Sequence, residues 1–270
     1  WMFTLALFAG IVGSTLLTTI MSIRQEQFRM SNYVDHVVVA GYDAGSRMLL
    51  DAVRQELVEG QVLVVFSTIE RPQSIPEDVY WVRGDPTKES ELDKARVAHA
   101  KAVIVVGSRE SNPQDSDART ILTAFTIRRY AARQAVTSER VRPLYVVTEI
   151  LDKENVDHAF TAGADEVIET NRLGFSLLAH AVAVPGTAAV MSRMAVAGAH
   201  NVYMGAVPQE LPRPLQFGEL AGHVKLQHRA LVIGLSDGEG HTVFNPPDST
   251  PVEEGQRVVY LAETPVLPQG

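Results

Sequence analysis

The chain has 270 residues, enough for one large domain or two modest ones, each with its own core. It has no cysteine, which excludes disulfide scaffolds, thiol nucleophiles and cysteine metal sites. Lys+Arg number 24 against 32 Asp+Glu, a net charge of −8, and that argues against a general DNA-binding surface.

Trp1 to Ile23 reads WMFTLALFAGIVGSTLLTTIMSI and carries no charge. As a helix it is about 34 Å long, enough to cross a hydrocarbon core of about 30 Å. Arg24 and Arg29 follow where cytoplasmic positive charge belongs. A signal peptide fits poorly, because no basic stretch precedes the apolar run. The chain begins at Trp1, so a piece of a longer protein is expected. Gly10 and Gly13 suit either close helix packing or a bending point in a gating helix. Residues 24–35 read as a linker.

From His36 the pattern becomes alternating. Apolar runs at 36–40, 62–66, 79–82, 102–106, 144–147 and 166–169 predict six strands. Between them, residues 48–57, 90–97, 117–133 and 152–161 predict helices. Strands apolar throughout are buried on both faces, as parallel sheets require. The expectation is an α/β fold with a doubly wound, Rossmann-like parallel sheet over 36–170.

Asn171 to Val196 predicts two weakly charged helices separated by Pro185-Gly186, a crossover at 171–200 suited to subunit pairing. Residues 201–270 read as a small α+β lobe: LPRPLQFGELA enters a short helix, and 229–234 and 257–262 are strands. The eight histidines show no metal-ligand spacing; His223 and His228, five apart, do not share a helix face.

The order of these elements resembles potassium channels that carry a regulator-of-conductance (RCK, TrkA-type) domain. His36-Val37-Val38-Val39-Ala40-Gly41-Tyr42 resembles the first strand and turn. Arg83-Gly84-Asp85-Pro86-Thr87 with Glu91-Leu92-Asp93-Lys94-Ala95 resembles the third strand's exit and its helix. Ala100 to Val105 and Ala162 to Ile168 resemble the fourth strand and the approach to the sixth. Asn112 to Arg119 is similar to a loop of the CASTOR/POLLUX channels. The resemblance implies a homotetrameric pore with K+ as permeant ion, paired RCK domains in an octameric gating ring, residues 1–23 as the inner helix in membrane lipid, and 24–270 in the cytoplasm. It also implies that the selectivity filter lies before Trp1. A soluble TrkA-like regulatory subunit of a potassium transporter is the alternative.

Two ligand classes follow from the resemblance. Related calcium-gated channels use carboxylates after strands four and five, so Asp115, Asp117, Glu149 and Asp152 are candidates for Ca2+ or another divalent cation. The position of a further family ligand falls at Leu151, which cannot coordinate. For NAD(H) or an adenine nucleotide the candidates are Gly41, Asp43, Gly45, Ser46, Arg47 and Asp85. Against G-x-G-x-x-G, however, Asp43 stands at the second glycine and Ser46 at the third. The plainer roles are helix capping by Asp85, Asp115 and Asp117. An NAD-dependent oxidoreductase is disfavoured: Tyr130 is followed by Gln134, not the lysine a Tyr-x-x-x-Lys pair needs, so no enzymatic activity is expected.

Overall fold

The computed structural model describes residues 10–16, 33–135, 143–195, 200–238 and 240–268. Residues 10–16 are helical, and among the described residues nothing lies within 4 Å of a Cβ placed at Gly10 or Gly13. The rest of the predicted membrane span, and most of the linker, lie outside the described residues. Among the described residues no helix is long and apolar enough to cross a membrane. The chain divides into two compact units, residues 1–176 and 177–270.

The first unit holds a six-stranded parallel sheet: β1 (Val37–Ala40), β2 (Leu63–Ser67), β3 (Val79–Arg83), β4 (Ala102–Val105), β5 (Tyr145–Ile150) and β6 (Glu166–Glu169), in the order β3-β2-β1-β4-β5-β6. The helices are α1 (Arg47–Glu56), α2 (Pro113–Ala135) and α3 (Val156–Thr161). Strand periodicity sorts β1 between two cores. Val38 and Ala40 join Val64, Phe66, Val103 and Val146 on one face, while Val37 and Val39 join Leu63, Val65, Trp81 and Leu50 on the other. Each such buried Val, Leu or Phe contributes roughly 1.5–3 kcal/mol. His36 enters the sheet buried, its Nε2 3.0 Å from the Ala95 carbonyl, and burial lowers its pKa to about 4.

Several boundaries differ from the sequence reading, two of them in helices that flank the sheet. The 90–97 helix is a 3-10 segment, Glu89–Ala95, ended by Arg96 in the left-handed conformation. The long helix starts at Pro113 rather than Asp117, with proline in the first turn, where its missing N–H costs nothing.

Helix α4 (Thr170–Ala183) begins directly after β6, and α5 (Thr187–Met194) follows the positive-φ Gly186. Neither helix has a buried residue. The second unit also contains β7 (Asn201–Ala206), α6 (Phe217–His228), β8 (Leu231–Ser236), β9 (Thr242–Phe244) and β10 (Arg257–Ala262), an antiparallel sheet ordered β7-β10-β8-β9. Leu220 and Val224 of α6 pack with Val232, Leu235 and Tyr260. Strands β7 and β9 had no counterpart in the sequence reading.

Candidate functional site

The sheet reverses its winding between β1 and β4, and ligands of open α/β sheets bind beyond the strand ends at such a point. A cleft of about 580 Å³ opens there, lined by Gly41, Asp43, Arg47, Gly107 and Arg119 among others. Gly41 turns the chain out of β1 at φ 92°, and a Cβ there would lie 2.7 Å from the Val106 carbonyl oxygen. Only glycine accommodates both the conformation and the approach.

The candidate nucleotide residues behave as an internally bonded turn. Asp43 is buried; one carboxylate oxygen accepts from the Ser46 N–H and hydroxyl, each at 3.0 Å. The other accepts from the Arg109 N–H at 2.5 Å. A carboxylate thus occupies N–H groups of the kind that would cradle a phosphate in a glycine-rich turn. Gly45 leaves room for Arg109, whose Cδ would be 2.9 Å from a Cβ there. Arg47 pairs with Asp51 at 3.1 Å and donates to the Ser74 carbonyl. Asp85 accepts from the Thr87 N–H and hydroxyl at 3.1 and 2.8 Å and faces Arg119 at 3.4 Å. Burial alone pushes the Asp85 carboxyl up, but the Thr87 donations, with Arg119 and Lys88, outweigh it and hold the pKa below the usual value. Asp43→Asn keeps the shape and removes the charge, so it should cost about 1–2 kcal/mol in chemical denaturation. An unchanged midpoint would mean the Asp43 contacts contribute nothing.

The four candidate cation ligands are spread out. Among the described residues no three of Asp115, Asp117, Glu149 and Asp152 bring ligand atoms within 4.8 Å of one another. Asp117 is fully buried and accepts from the Leu151 N–H, the Asp152 N–H and Asn155 Nδ2, all at 2.9 Å. It therefore caps the loop after β5, not its own helix. The helix is capped by Asn112, whose side-chain oxygen takes the Asp115 N–H at 2.9 Å, and Asp115 is exposed. Asp152 caps the short turn at Lys153–Asn155.

Glu149, buried at the end of β5, accepts from Arg109 at 2.8 Å, from the Thr170 hydroxyl at 2.8 Å and from the Gly107 N–H at 3.3 Å. A continuous polar path results: the turn after β1 (Asp43), the loop after β4 (Arg109), the end of β5 (Glu149) and the first residue of α4 (Thr170). Sequence reasoning missed Arg109 and Thr170. Nothing in their spacing marks them, because they meet only through strand order. Two further hydroxyls, Ser116 and Thr120, are buried behind Gly107 without a hydrogen-bond partner among the described residues.

The second unit corrects the expectation for histidine. His223 and His228 lie with ring centroids 6.2 Å apart, and Glu210 joins them, so that one ligand atom of each lies within 4.8 Å of the others. Helix spacing alone could not show this grouping, because Glu210 comes from the connection before α6 and the two rings meet through their side chains.

Residues 32–144 match the family described as the calcium-activated potassium channel slowpoke-like RCK domain. The calcium-gated potassium channel TvoK of Thermoplasma volcanium is 28% identical over 185 residues, covering 66% of this chain and 49% of that protein. The putative potassium channel protein YugO of Bacillus subtilis is 22% identical over 215 residues, covering 79% of this chain and 61% of that one. The chain thus spans from about half to about three-fifths of these curated relatives. The human SLO3 gating ring has the same fold, with a TM-score of 0.63 at 15% identity over 85% of this chain and 44% of that one.

Proposed function

We propose that the chain, whose residues 32–144 match the slowpoke-like RCK domain family, belongs to a ligand-gated potassium channel subunit, joining the inner pore helix to its cytoplasmic sensor. The sensor does no chemistry of its own. It binds a ligand and moves the pore. Residues 1–23 are the membrane helix, 24–35 the connection, and 171–200 the pairing element of a homo-oligomeric ring around a tetrameric pore. The exposure of α4 and α5 supports pairing, since Leu173, Phe175, Leu178 and Val182 are all exposed apolar groups.

The observation that carries the reading is the polar path from the cleft to Thr170. A ligand that changes the partners of Glu149 or Arg109 changes the anchoring of the helix that follows. Such a ligand shifts the pore only as far as its affinities for the two arrangements differ.

The ligand proposed first is a divalent cation, calcium above others, taken by Glu149 in exchange for Arg109. The Arg109 side chain is half exposed and can leave for water, while the carboxylate is nearly buried. TvoK is named as calcium-gated, which agrees with this choice. The cleft at the winding reversal favours a second ligand, an adenine nucleotide or NAD(H), with Arg119 as the phosphate partner.

Thermal unfolding of the full chain with calcium, magnesium, NAD(H) and ADP tests both. A binder to the folded form raises the midpoint. Calcium should stabilise the wild type, bind roughly tenfold tighter (about 1.4 kcal/mol) to Arg109→Ala, and lose its effect in Glu149→Gln. A nucleotide response without a calcium response would transfer the role to the second ligand. Indifference to every ligand would overturn the gating proposal.

A further inference from the structure

We propose that Glu210, His223 and His228 form a transition-metal site, suited to zinc, in the second unit. It is independent of the calcium reading above, since it lies in the other unit and uses a different donor chemistry. Glu210 sits in the connection between β7 and α6; His223 lies within α6 and His228 ends it. His223 Nε2 is 3.5 Å from a Glu210 carboxylate oxygen. One ligand atom from each residue already lies within 4.8 Å of the other two.

A second observation points to a ligand. His223 Nε2 is buried and makes no hydrogen bond among the described residues. A buried imidazole nitrogen whose nearest acceptor, the Glu210 carboxylate, stands off at 3.5 Å is costly, and a metal ion between the two satisfies both. Two imidazoles and one carboxylate are a zinc donor set, and three protein ligands leave a fourth position for water. Bond lengths of about 2.0–2.2 Å in a tetrahedron bring neighbouring ligand atoms to about 3.4 Å. Glu210 is exposed, so its side chain can rotate to close that gap. Imidazole nitrogen selects zinc, nickel, copper or cobalt over calcium and magnesium. The bound ion would tie the β7–α6 connection to its own helix, so metal binding is binding to the folded form alone.

The test uses the full chain, stripped with a chelator and titrated with Zn2+ by calorimetry and with Co2+ by visible absorption. The expected result is one equivalent bound, with the intense visible bands of four-coordinate cobalt. Glu210→Gln, His223→Gln and His228→Gln should each weaken zinc roughly tenfold or more, while His180→Gln leaves it unchanged. Glu210→Gln alters an exposed side chain, so it separates ligation from folding, and circular dichroism checks the other two. Excess calcium should not displace the ion. Zinc binding that survives all three substitutions, displacement by calcium, or cobalt spectra of a fully hydrated ion would each overturn the site.

Discussion

Asp117→Ala should destabilise the first unit by about 4 kcal/mol and lower the unfolding midpoint by roughly 10 °C. The carboxylate is fully buried and receives three N–H groups, from Leu151, Asp152 and Asn155. Hydrogen bonds to a charged acceptor are worth about 1.5–3 kcal/mol each, and here one deletion strands all three donors. The loss is smaller than their sum because the loop after β5 can open to water. Asp117→Asn should recover part of the loss, since one amide oxygen still accepts. Equal destabilisation by Ala and Asn would point to packing and remove the hydrogen-bond argument. The same measurement bears on cation binding, because these bonds occupy both oxygens of Asp117.

Stability should also fall as the solution is acidified from pH 6.5 towards 4, with His36 contributing about 3 kcal/mol of the loss. Its folded pKa is lowered to about 4, first by burial, while the hydrogen bond to the Ala95 carbonyl opposes the shift in part. The unfolded chain therefore takes up this proton at higher pH than the folded one. The contribution is complete above the unfolded value of about 6.5. It is lost as pH descends to the folded one. Carboxylates also titrate in that window, so the comparison is with His36→Gln. The gap in unfolding free energy between wild type and variant should narrow by about 3 kcal/mol between pH 7 and pH 4. A gap that stays constant with pH would show that the imidazole does not carry the effect.

The centre of the parallel sheet was legible because β1 and β2 are buried on both faces. A run such as Val37-Val38-Val39 has no polar face to hide and declares itself in the sequence. The second unit was read less completely. Strand β7, Asn201–Ala206, mixes exposed Val202 with buried Gly205 and offers neither clean alternation nor a continuous apolar run. The site residues divide in the same way. Gly41 was visible as a glycine ending a strand. The role of Asp117 was not, because its partners lie 34 or more positions along the chain and meet it only through the order of β4 and β5. The grouping of Glu210 with His223 and His228 was hidden for a related reason: Glu210 lies outside the helix and 13 positions before His223, so no helix spacing marks it.

No loop separates Glu169, the end of β6, from Thr170, the start of α4. At 1.5 Å per residue, a helix of 14 residues is a lever about 21 Å long, so a tilt of 5° at its root sweeps its tip through about 2 Å. The hydroxyl that Glu149 accepts at 2.8 Å belongs to the first residue of that helix, so Glu149 holds it at its root.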